Sequence, residues 1–489
     1  MGRLAINFNT VFNVVGSLLR FLAVLMLIPA GVASYYNEPI FPFLIATTIT
    51  GISGFLIGMG THSADEYKVR ESFAIVAFGW LAVAIFGALP YVFNGVSPID
   101  AFFESMSGFT TTGSTIFADI EAHTMSLLFW RSFTQWLGGM GIIVLFIAIL
   151  PKLAVAGRQL FKAEVPGPTS DKLKPRLRET AKILWAVYLL LTYMEIMLLY
   201  LYGRFFDVPQ MTLYDAITTS FSTLATGGFS PQAESIAAYN SPVVEGIVIV
   251  FMFLAGANFA LHYKTIYGDR KALFKDKEFQ VYSGIILMAV LFIAFELWLR
   301  LGEDLFESFM HSAFQVVSVI TTTGFGTADF NVWPESTRFV LFLLIFIGGC
   351  AGSTGGGIKV VRVAMLIKYS FHDMFRMLHP KAVKKLRFGD MPVSDDVMKS
   401  IISFFVLYML IFLVSSLLMV LTGLDIISAT SSVATTLGNV GPGFGLVGPM
   451  ANFSIIHPAG KVFLALLMWV GRLEVFTVLV LLMPEFWKK

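Results

Sequence analysis

The hexapeptide Thr321–Gly326, with the sequence TTTGFG, lies in a largely apolar stretch and has three related copies elsewhere in the chain. The related copies are Thr110–Thr115 (TTTGST), Leu224–Phe229 (LATGGF) and the more divergent Gly438–Gly443 (GNVGPG). The glycines that align the copies are Gly113, Gly227, Gly324 and Gly441, at steps of 114, 97 and 117 residues. A short apolar segment precedes each copy and a long apolar run follows it. Four copies of one pattern predict four similar units around an axis at which these glycines meet.

The composition is that of a membrane protein. Of the 489 residues, 56% are hydrophobic and 13% are charged, and the mean hydropathy is +0.77. The repeated apolar runs of roughly 20 residues are long enough to cross a bilayer as helices. The single cysteine, Cys350, excludes an intrachain disulfide and a CxxC metal site. We therefore predict an all-α membrane protein.

Ten transmembrane helices are predicted from these runs, and they form four pseudo-symmetric helix–pore-loop–helix repeats preceded by two extra helices. The predicted spans are about residues 11–34, 39–60, 72–94, 126–150, 181–203, 241–263, 280–300, 336–366, 398–422 and 459–483. The two N-terminal helices occupy residues 1–70, and the repeats occupy 71–162, 163–279, 280–385 and 386–489.

The distribution of Lys and Arg indicates which loops face the cytoplasm. Residues 151–180 contain seven, 264–279 five and 359–399 nine, whereas 95–125, 301–337 and 423–460 contain none. By the positive-inside rule, the basic segments and both termini are cytoplasmic and the four hexapeptides lie toward the outside. The outer segments are rich in Asp and Glu with almost no opposing bases. We expect an acidic mouth that concentrates cations, with ordinary solvated loops as the alternative.

The segments before the hexapeptides, such as Pro98–Phe109 and Leu213–Thr223, are too short to span. As helix they cover roughly 16–18 Å, and four or five extended residues return about 13–16 Å. The sum is close to the ~30 Å hydrocarbon thickness, so a half-helix with an extended return fits a re-entrant pore loop. A helix on the membrane surface is the alternative, but it would favour Lys or Arg on its polar face, and these segments have none.

Extended backbone at membrane depth must line a wet cavity or be buried in protein. Glycine permits the φ values that turn successive carbonyls inward, and rings of carbonyl oxygens can replace the water around K⁺. The hexapeptides contain no carboxylate, which favours a monovalent ion over Ca²⁺ or Mg²⁺. We predict no cofactor and a weakly hydrated monovalent cation, such as K⁺, as the transported ion. The predicted K⁺-binding filter consists of Thr111, Thr112, Gly113, Ser114, Ala225, Thr226, Gly227, Gly228, Thr322, Thr323, Gly324, Phe325, Asn439, Val440, Gly441 and Pro442.

These motifs resemble the TrkH/TrkG family of bacterial potassium uptake proteins, and the resemblance covers the whole chain. The two extra helices separate it from the related KtrB type, and Gly113 differs from the serine often found in sodium-permeable plant HKT relatives. The resemblance implies potassium uptake across the bacterial inner membrane by a homodimer in which each protomer has its own pore. It also implies a cytoplasmic ring of TrkA-type regulatory subunits that bind nucleotides. The fourth loop, NVGPG, is the loosest match.

A glycine cluster interrupts the predicted span at 336–366. The segment Gly348–Gly357 (GGCAGSTGGG) has six glycines, each of which costs up to about 1 kcal/mol in a helix interior. We expect the helix to run to Ile347 and then break, forming a flexible plug below the filter that no other repeat has. A helix-packing seam of small residues is the alternative. The predicted gate consists of Gly348, Gly349, Cys350, Ala351, Gly352, Ser353, Thr354, Gly355, Gly356, Gly357 and Arg472, the last of which matches an arginine that the family places just below the filter.

Several questions stay open at this level. Arg20 and Arg131 are interpreted as packing or snorkelling residues, and Glu195 as a proton-relay group or a structural partner. The basic loops dock a soluble regulator or bind anionic membrane lipid. No nucleic acid partner is predicted, and no nucleophile–base pair or metal triad marks an enzyme. A Na⁺-permeable or K⁺/H⁺-symporting variant of the same architecture is the alternative function.

Overall fold

The computed structural model describes residues 6–61, 69–141, 177–206, 208–302, 304–381, 385–389 and 391–488. Within these ranges, six helices are long and apolar enough to cross a membrane, or up to eight if each of two bent pairs is one span. The basic segment 151–180 and the end of the predicted span 126–150 lie largely outside the described residues.

The described helices, in chain order, are α1 (Phe8–Leu25), α2 (Leu27–Tyr35), α3 (Phe41–Gly58), α4 (Val69–Gly87), α5 (Leu89–Phe93), α6 (Pro98–Phe109), α7 (Met125–Gly139), α8 (Leu177–Phe205), α9 (Leu213–Leu224), α10 (Pro242–Ala255), α11 (Phe259–Tyr267), α12 (Ala272–Lys275), α13 (Lys277–Leu301), α14 (Leu305–Ile320), α15 (Glu335–Ile345), α16 (Val360–Leu378), α17 (Asp395–Leu421), α18 (Ile426–Gly438), α19 (Pro458–Arg472), α20 (Phe476–Leu482) and α21 (Pro484–Trp487). The described residues are mostly helical, as predicted, and two strands of two residues each, β1 (Arg387–Phe388) and β2 (Met391–Pro392), form a short antiparallel ladder.

The N-terminal helices α1 and α3 pack closely against each other. A Cβ on Gly16 would lie 2.7 Å from the carbonyl oxygen of Gly54, and a Cβ on Gly54 would lie 2.7 Å from that of Gly16. Small residues allow helix backbones in a membrane to approach in this way, where dispersion contacts replace the hydrophobic effect. The two glycines therefore explain why this pair holds together.

A short helix precedes each hexapeptide directly. These four helices, α6, α9, α14 and α18, contain 12, 12, 16 and 13 residues. At 1.5 Å per residue they are about 18–24 Å long, which is less than the ~30 Å of a hydrocarbon layer. A side-chain oxygen caps the first turn of each one and so satisfies a free backbone N–H. The capping residues are Ser97, Thr212, Asp304 and Asp425.

The helices after the hexapeptides end sooner than the sequence predicts. α10 meets α11 at 98°, and α19 meets α20 at 115°. The predicted spans at 241–263 and 459–483 are therefore each a bent pair of helices and not one straight helix. Tertiary hydrogen bonds and side-chain caps stabilise the bends. At the first bend, the Gly256 carbonyl accepts from the Cys350 N–H at 2.8 Å, and the Asn258 side chain caps α11.

Candidate ion pathway

The four hexapeptides share one backbone conformation. At the end of α6, the Thr111 N–H donates to the Gly108 carbonyl at 3.0 Å and the Thr112 N–H to the Ser107 carbonyl at 2.9 Å. These two bonds form a Schellman motif, in which the residue after the helix is left-handed. Its φ is +54° at Thr111, and the other three loops have Thr226 (+53°), Thr322 (+60°) and Asn439 (+54°) at this position. A left-handed threonine is strained, and such strain concentrates at functional sites.

We define four loops, each of which begins at this left-handed residue. Loop 1 is Thr111–Ser114, loop 2 is Thr226–Phe229, loop 3 is Thr322–Phe325 and loop 4 is Asn439–Pro442. In each loop a left-handed glycine stands two residues after the first residue. That glycine is Gly228 in loop 2, with φ of +76°, and not Gly227. The Gly227 N–H donates to the Ser222 carbonyl, as the Thr112 N–H donates to that of Ser107. The alignment of Gly227 with Gly113 is therefore wrong by one residue, and Ala225 is the C-cap of α9.

The four loops form a closed ring. In each loop, a Cβ on the left-handed glycine would collide with a carbonyl oxygen of the next loop, in the order 1, 2, 3, 4 and back to 1. The pairs of glycine and carbonyl are Gly113 with Gly227, Gly228 with Thr323, Gly324 with Val440, and Gly441 with Thr112. Each of these carbonyls belongs to the residue before the left-handed glycine of its own loop. Glycine is required here both by its φ and by the close approach.

Side chains tie neighbouring loops together. The Ser114 hydroxyl donates to the Gly441 carbonyl at 3.0 Å, and the Asn439 amide donates to the Thr112 hydroxyl at 2.9 Å, which joins loop 4 to loop 1. Loop 2 is held by Gln135 of α7, whose Nε2 donates to the Gly227 carbonyl at 2.6 Å. Gln135 was not among the site residues predicted from the sequence. A lone amide among the apolar residues of α7 was the available signal.

A cavity of about 120 Å³, the vestibule, lies on one side of the ring. All four loops line it, through Gly113, Gly228, Gly324 and Pro442 among others. No group of three or more His, Cys, Asp or Glu side chains arranged to hold a metal ion occurs in the part of the chain that the structure describes. The polar atoms offered by the ring are backbone oxygens and hydroxyls, which suit a monovalent cation.

Arg131 lines the vestibule and forms a buried ion pair. Its Nε lies 2.7 Å from Glu104 Oε1, and the two side chains are 1% and 0% exposed. Arg131 also donates to the Ser230 carbonyl at 3.2 Å and to the Thr115 hydroxyl at 3.1 Å. The guanidinium thus joins residues next to loops 1 and 2. Of the two interpretations of Arg131, packing and snorkelling, these buried contacts agree with packing.

Two ion pairs reduce the negative charge that was expected at the outer mouth. Glu104 is neutralised by Arg131, and Asp100 pairs with Lys461 at 2.6 Å. Lys461 lies one residue beyond the segment 423–460, which contains no Lys or Arg, and so was not considered as a partner of the outer carboxylates. In the outer segment, burial and the charge of Arg131 lower the pKa of His123, which keeps this side chain neutral at pH 7. The prediction of almost no opposing bases is wrong for these two carboxylates.

On the other side of the ring lies the intramembrane segment, residues 346–359, which joins α15 to α16. The helix ends at Ile345, two residues before the predicted Ile347. The Gly356 N–H donates to the Thr322 hydroxyl of loop 3 at 2.7 Å. A Cβ on Gly356 would collide with the Gly438 carbonyl just before loop 4. The segment therefore packs directly against two of the loops.

Arg472 lies beside the intramembrane segment. Its guanidinium donates to the Thr354 carbonyl at 2.7 Å and to the Gly138 and Gly139 carbonyls at 2.7 and 2.9 Å. The side chain thus joins the end of α19 to the segment and to the end of α7. The structure brings Arg472 and the glycine cluster together, as the sequence analysis expected of these residues.

Two ionisable side chains anchor the intramembrane segment and were not predicted. Glu278, at the start of α13, accepts at Oε1 from the Ala351 N–H at 2.8 Å and from the Val361 N–H at 3.1 Å. Lys359 donates to the Gly355 carbonyl. Both side chains are more than nine-tenths buried, so little water competes with these hydrogen bonds.

Arg20 and Glu195, the other two ionisable residues predicted to lie within the membrane, differ in burial. Arg20 is exposed on α1 and donates to the Gly16 carbonyl and the Ser17 hydroxyl of its own helix, as a snorkelling residue does. Glu195 on α8 is 0% exposed, and neither of its carboxyl oxygens has a hydrogen-bond partner among the residues that the structure describes. An unpaired buried carboxylate is costly, which favours the neutral acid at this position.

Comparisons with known proteins agree with this architecture. A family model described as TrkH, cation transport protein, matches residues 41–489. The chain is 39% identical to the Trk system potassium uptake protein TrkH of Salmonella typhimurium over 491 residues, which cover 99% of this chain and all of the relative. It is 36% identical to the protein TrkG of Escherichia coli, with 98% of this chain and 99% of the relative covered. The crystal structure of the potassium transporter TrkH from Vibrio parahaemolyticus superposes with a TM-score of 0.89 at 36% identity, covering 99% of this chain and all of that one.

Proposed function

The chain belongs to the TrkH family, and from this premise we propose that it carries K⁺ into the cell through the ring formed by loops 1 to 4. The relatives are named as potassium uptake proteins and not as enzymes. The observation that carries the proposal is the closed contact order of the four loops, in which each left-handed glycine abuts a carbonyl of the next loop. Such a ring supplies several backbone oxygens at one place without a full charge.

The ion would pass from the vestibule through the ring. The filter of this proposal consists of the four loops in their observed register, so Ala225 supports the filter from the C-cap of α9. The C-terminal ends of α6, α9, α14 and α18 lead into the loops, and the partial negative charge of a helix C-terminus favours a cation there. A ten-span architecture of four repeats after two extra helices is part of the proposal.

Arg472 and the intramembrane segment form the proposed gate. The segment contacts loops 3 and 4 on the side of the ring opposite the vestibule, and Arg472 holds it through the Thr354 carbonyl. A guanidinium in the ion pathway also repels K⁺. Displacing the segment would break the bond to Thr354 and clear the pathway, while Arg472 stays with α7 through the Gly138 and Gly139 carbonyls.

The cellular setting of the proposal follows from the charges of the chain. The basic segments 151–180, 264–279 and 359–399 would face the cytoplasm with both termini, and the vestibule would face outside. In a bacterial inner membrane, a cytoplasmic TrkA-like nucleotide-binding ring would dock on these segments and move α16, which begins directly after the intramembrane segment. A homodimer with one pore in each protomer completes the proposed assembly. Anionic lipid is the competing ligand of the basic segments.

A flux measurement tests the proposed function. We expect purified protein in proteoliposomes to take up ⁸⁶Rb⁺, with K⁺ competing much better than Na⁺. Equal competition by the two ions would instead establish the Na⁺-permeable variant, and no uptake at all would contradict the proposal.

A K⁺/H⁺ symporter is the second candidate, and Glu195 is the observation in its favour. Its buried, unpartnered carboxyl is a group that can carry a proton inside the membrane. The same proteoliposomes decide between the candidates. Uptake driven by an imposed proton gradient, without a K⁺ gradient, would establish symport.

A further inference from the structure

Gln135 on α7 makes two hydrogen bonds with loop 2. Its Nε2 donates to the Gly227 carbonyl at 2.6 Å, and its Oε1 accepts from the Phe229 N–H at 3.0 Å. The side chain is 0% exposed. Both ends of the amide are therefore committed to the backbone on either side of the left-handed Gly228. A buried amide in this position holds the loop at two points.

The amide of Gln135 also explains why residue 227 is a glycine. The equivalent positions in loops 1, 3 and 4 are Thr112, Thr323 and Val440, which all have side chains. Gly227 does not have a left-handed φ, so its backbone conformation does not require glycine. A Cβ on Gly227 would instead collide with the Cδ, Oε1 and Nε2 atoms of Gln135. Gln135 thus occupies the place of the side chain that loop 2 lacks.

The same face of α7 holds loop 2 at a third point. Arg131 precedes Gln135 by four residues, which places both on one side of the helix. Its guanidinium lies 4.1 Å from the centre of the Phe229 ring and donates to the Ser230 carbonyl. Loop 2 is thereby fixed to the helix that follows loop 1.

We propose that Gln135 is a positioning residue of the ion pathway, whose amide replaces the missing side chain at residue 227 and fixes the Gly227 carbonyl in the ring. This inference rests on the proposed transport function. A carbonyl oxygen has two lone pairs, so Gly227 can accept from Gln135 and still face an ion. Because selectivity depends on the position and field of the carbonyl dipoles, Gln135 sets the discrimination between K⁺ and Na⁺ at this corner of the ring.

The first test removes the hydrogen bonds and keeps the volume. In Gln135→Met, we expect the preference for K⁺ over Na⁺, measured by competition with ⁸⁶Rb⁺ uptake in proteoliposomes, to fall by about threefold to tenfold. The control is Gln315→Met, since Gln315 is equally buried and its amide contacts Thr327 and Ala328 outside the four loops. A purely structural role would reduce the amount of folded protein and leave this ratio unchanged. An unchanged ratio in Gln135→Met would overturn the proposal.

The second test adds a side chain at residue 227 and removes the one at residue 135. Gly227→Thr alone should reduce uptake by about tenfold or more and lower the thermal midpoint, because the new side chain collides with Gln135. Combining Gly227→Thr with Gln135→Ala gives loop 2 the Thr-Thr-Gly sequence of loops 1 and 3 and vacates the space. We expect the double variant to recover most of the uptake and of the thermal midpoint. Equal loss in the single and double variants, or full activity of Gly227→Thr alone, would contradict the proposed replacement.

The measurements of ⁸⁶Rb⁺ uptake and of thermal midpoints test the proposed function and this inference separately. If the wild-type protein takes up no ⁸⁶Rb⁺, the proposed function fails and the claim about selectivity fails with it. The thermal midpoints of the wild type, Gly227→Thr, Gln135→Ala and the double variant still decide whether Gln135 replaces the side chain at residue 227. If the wild type transports K⁺ selectively and the cycle shows no coupling, the inference alone fails.

Discussion

Replacing Arg472 by Ala tests the proposed gate most directly. Among the described residues, the guanidinium donates one hydrogen bond to Thr354 in the intramembrane segment and two to Gly138 and Gly139 at the end of α7. Each charge-assisted bond contributes about 1.5–3 kcal/mol. Of these bonds, the one to Thr354 has to break when the segment leaves the pathway while α7 and α19 stay in place. The closed state should therefore lose about 1.5–3 kcal/mol relative to the open one.

This free energy corresponds to an increase in the ratio of open to closed protein of about 10- to 150-fold. The increase should appear as a higher open probability in single-channel recordings and faster ⁸⁶Rb⁺ uptake, without the cytoplasmic partner. Arg472→Lys is the matched control, because an ammonium keeps the charge and lacks the planar fork of donors. It should give an intermediate open probability. Wild-type or lower values in Arg472→Ala, in protein that elutes as a single folded species, would refute the reasoning.

Three further predictions follow from the site. Deleting Gly348–Gly357 should raise ⁸⁶Rb⁺ uptake and make it less dependent on the cytoplasmic partner, whereas uptake at or below the wild-type rate would argue against a plug. Gly113→Ser should let Na⁺ compete with ⁸⁶Rb⁺, because the added Cβ collides with the Gly227 carbonyl, and Gly228→Ala should do the same at the next corner; an unaltered preference for K⁺ in both would remove these glycines from the filter. Glu104→Gln should lower the free energy of unfolding by about 3–5 kcal/mol, since it leaves the buried Arg131 charge uncompensated, and a thermal midpoint equal to that of the wild type would show that Arg131 finds another partner.

Local patterns in the sequence were enough to predict the short helices. Pro98–Phe109 is helical over the predicted residues, because a serine cap, a proline in the first turn and an apolar run all favour a helix there. The break at Gly348–Gly357 was likewise predictable, because six glycines in ten residues disfavour a helix whatever surrounds them. The placement of Gly113, Gly324 and Gly441 at one equivalent position also followed from the motif.

The register of loop 2 was decided by tertiary structure. Its two consecutive glycines, Gly227 and Gly228, allow two alignments with Gly113, and no local rule distinguishes them. In the observed register, Gln135, which lies 92 residues before Gly227, donates to the Gly227 carbonyl and takes the space that a side chain at that residue would need. A steric constraint between segments so distant in sequence leaves no local pattern.

A helical membrane protein with four glycine-bearing loops could be predicted from the residues alone, because hydropathy, helix caps and glycine clusters act over a few residues. The order of contacts around the ring, the bends after α10 and α19, and the ion pairs Arg131–Glu104 and Lys461–Asp100 became visible only in the folded chain. A buried charge or an interrupted helix is stabilised by partners that the fold brings from distant parts of the sequence. Arg131 and Glu104 are 27 residues apart in the sequence, and Lys461 and Asp100 are 361 residues apart.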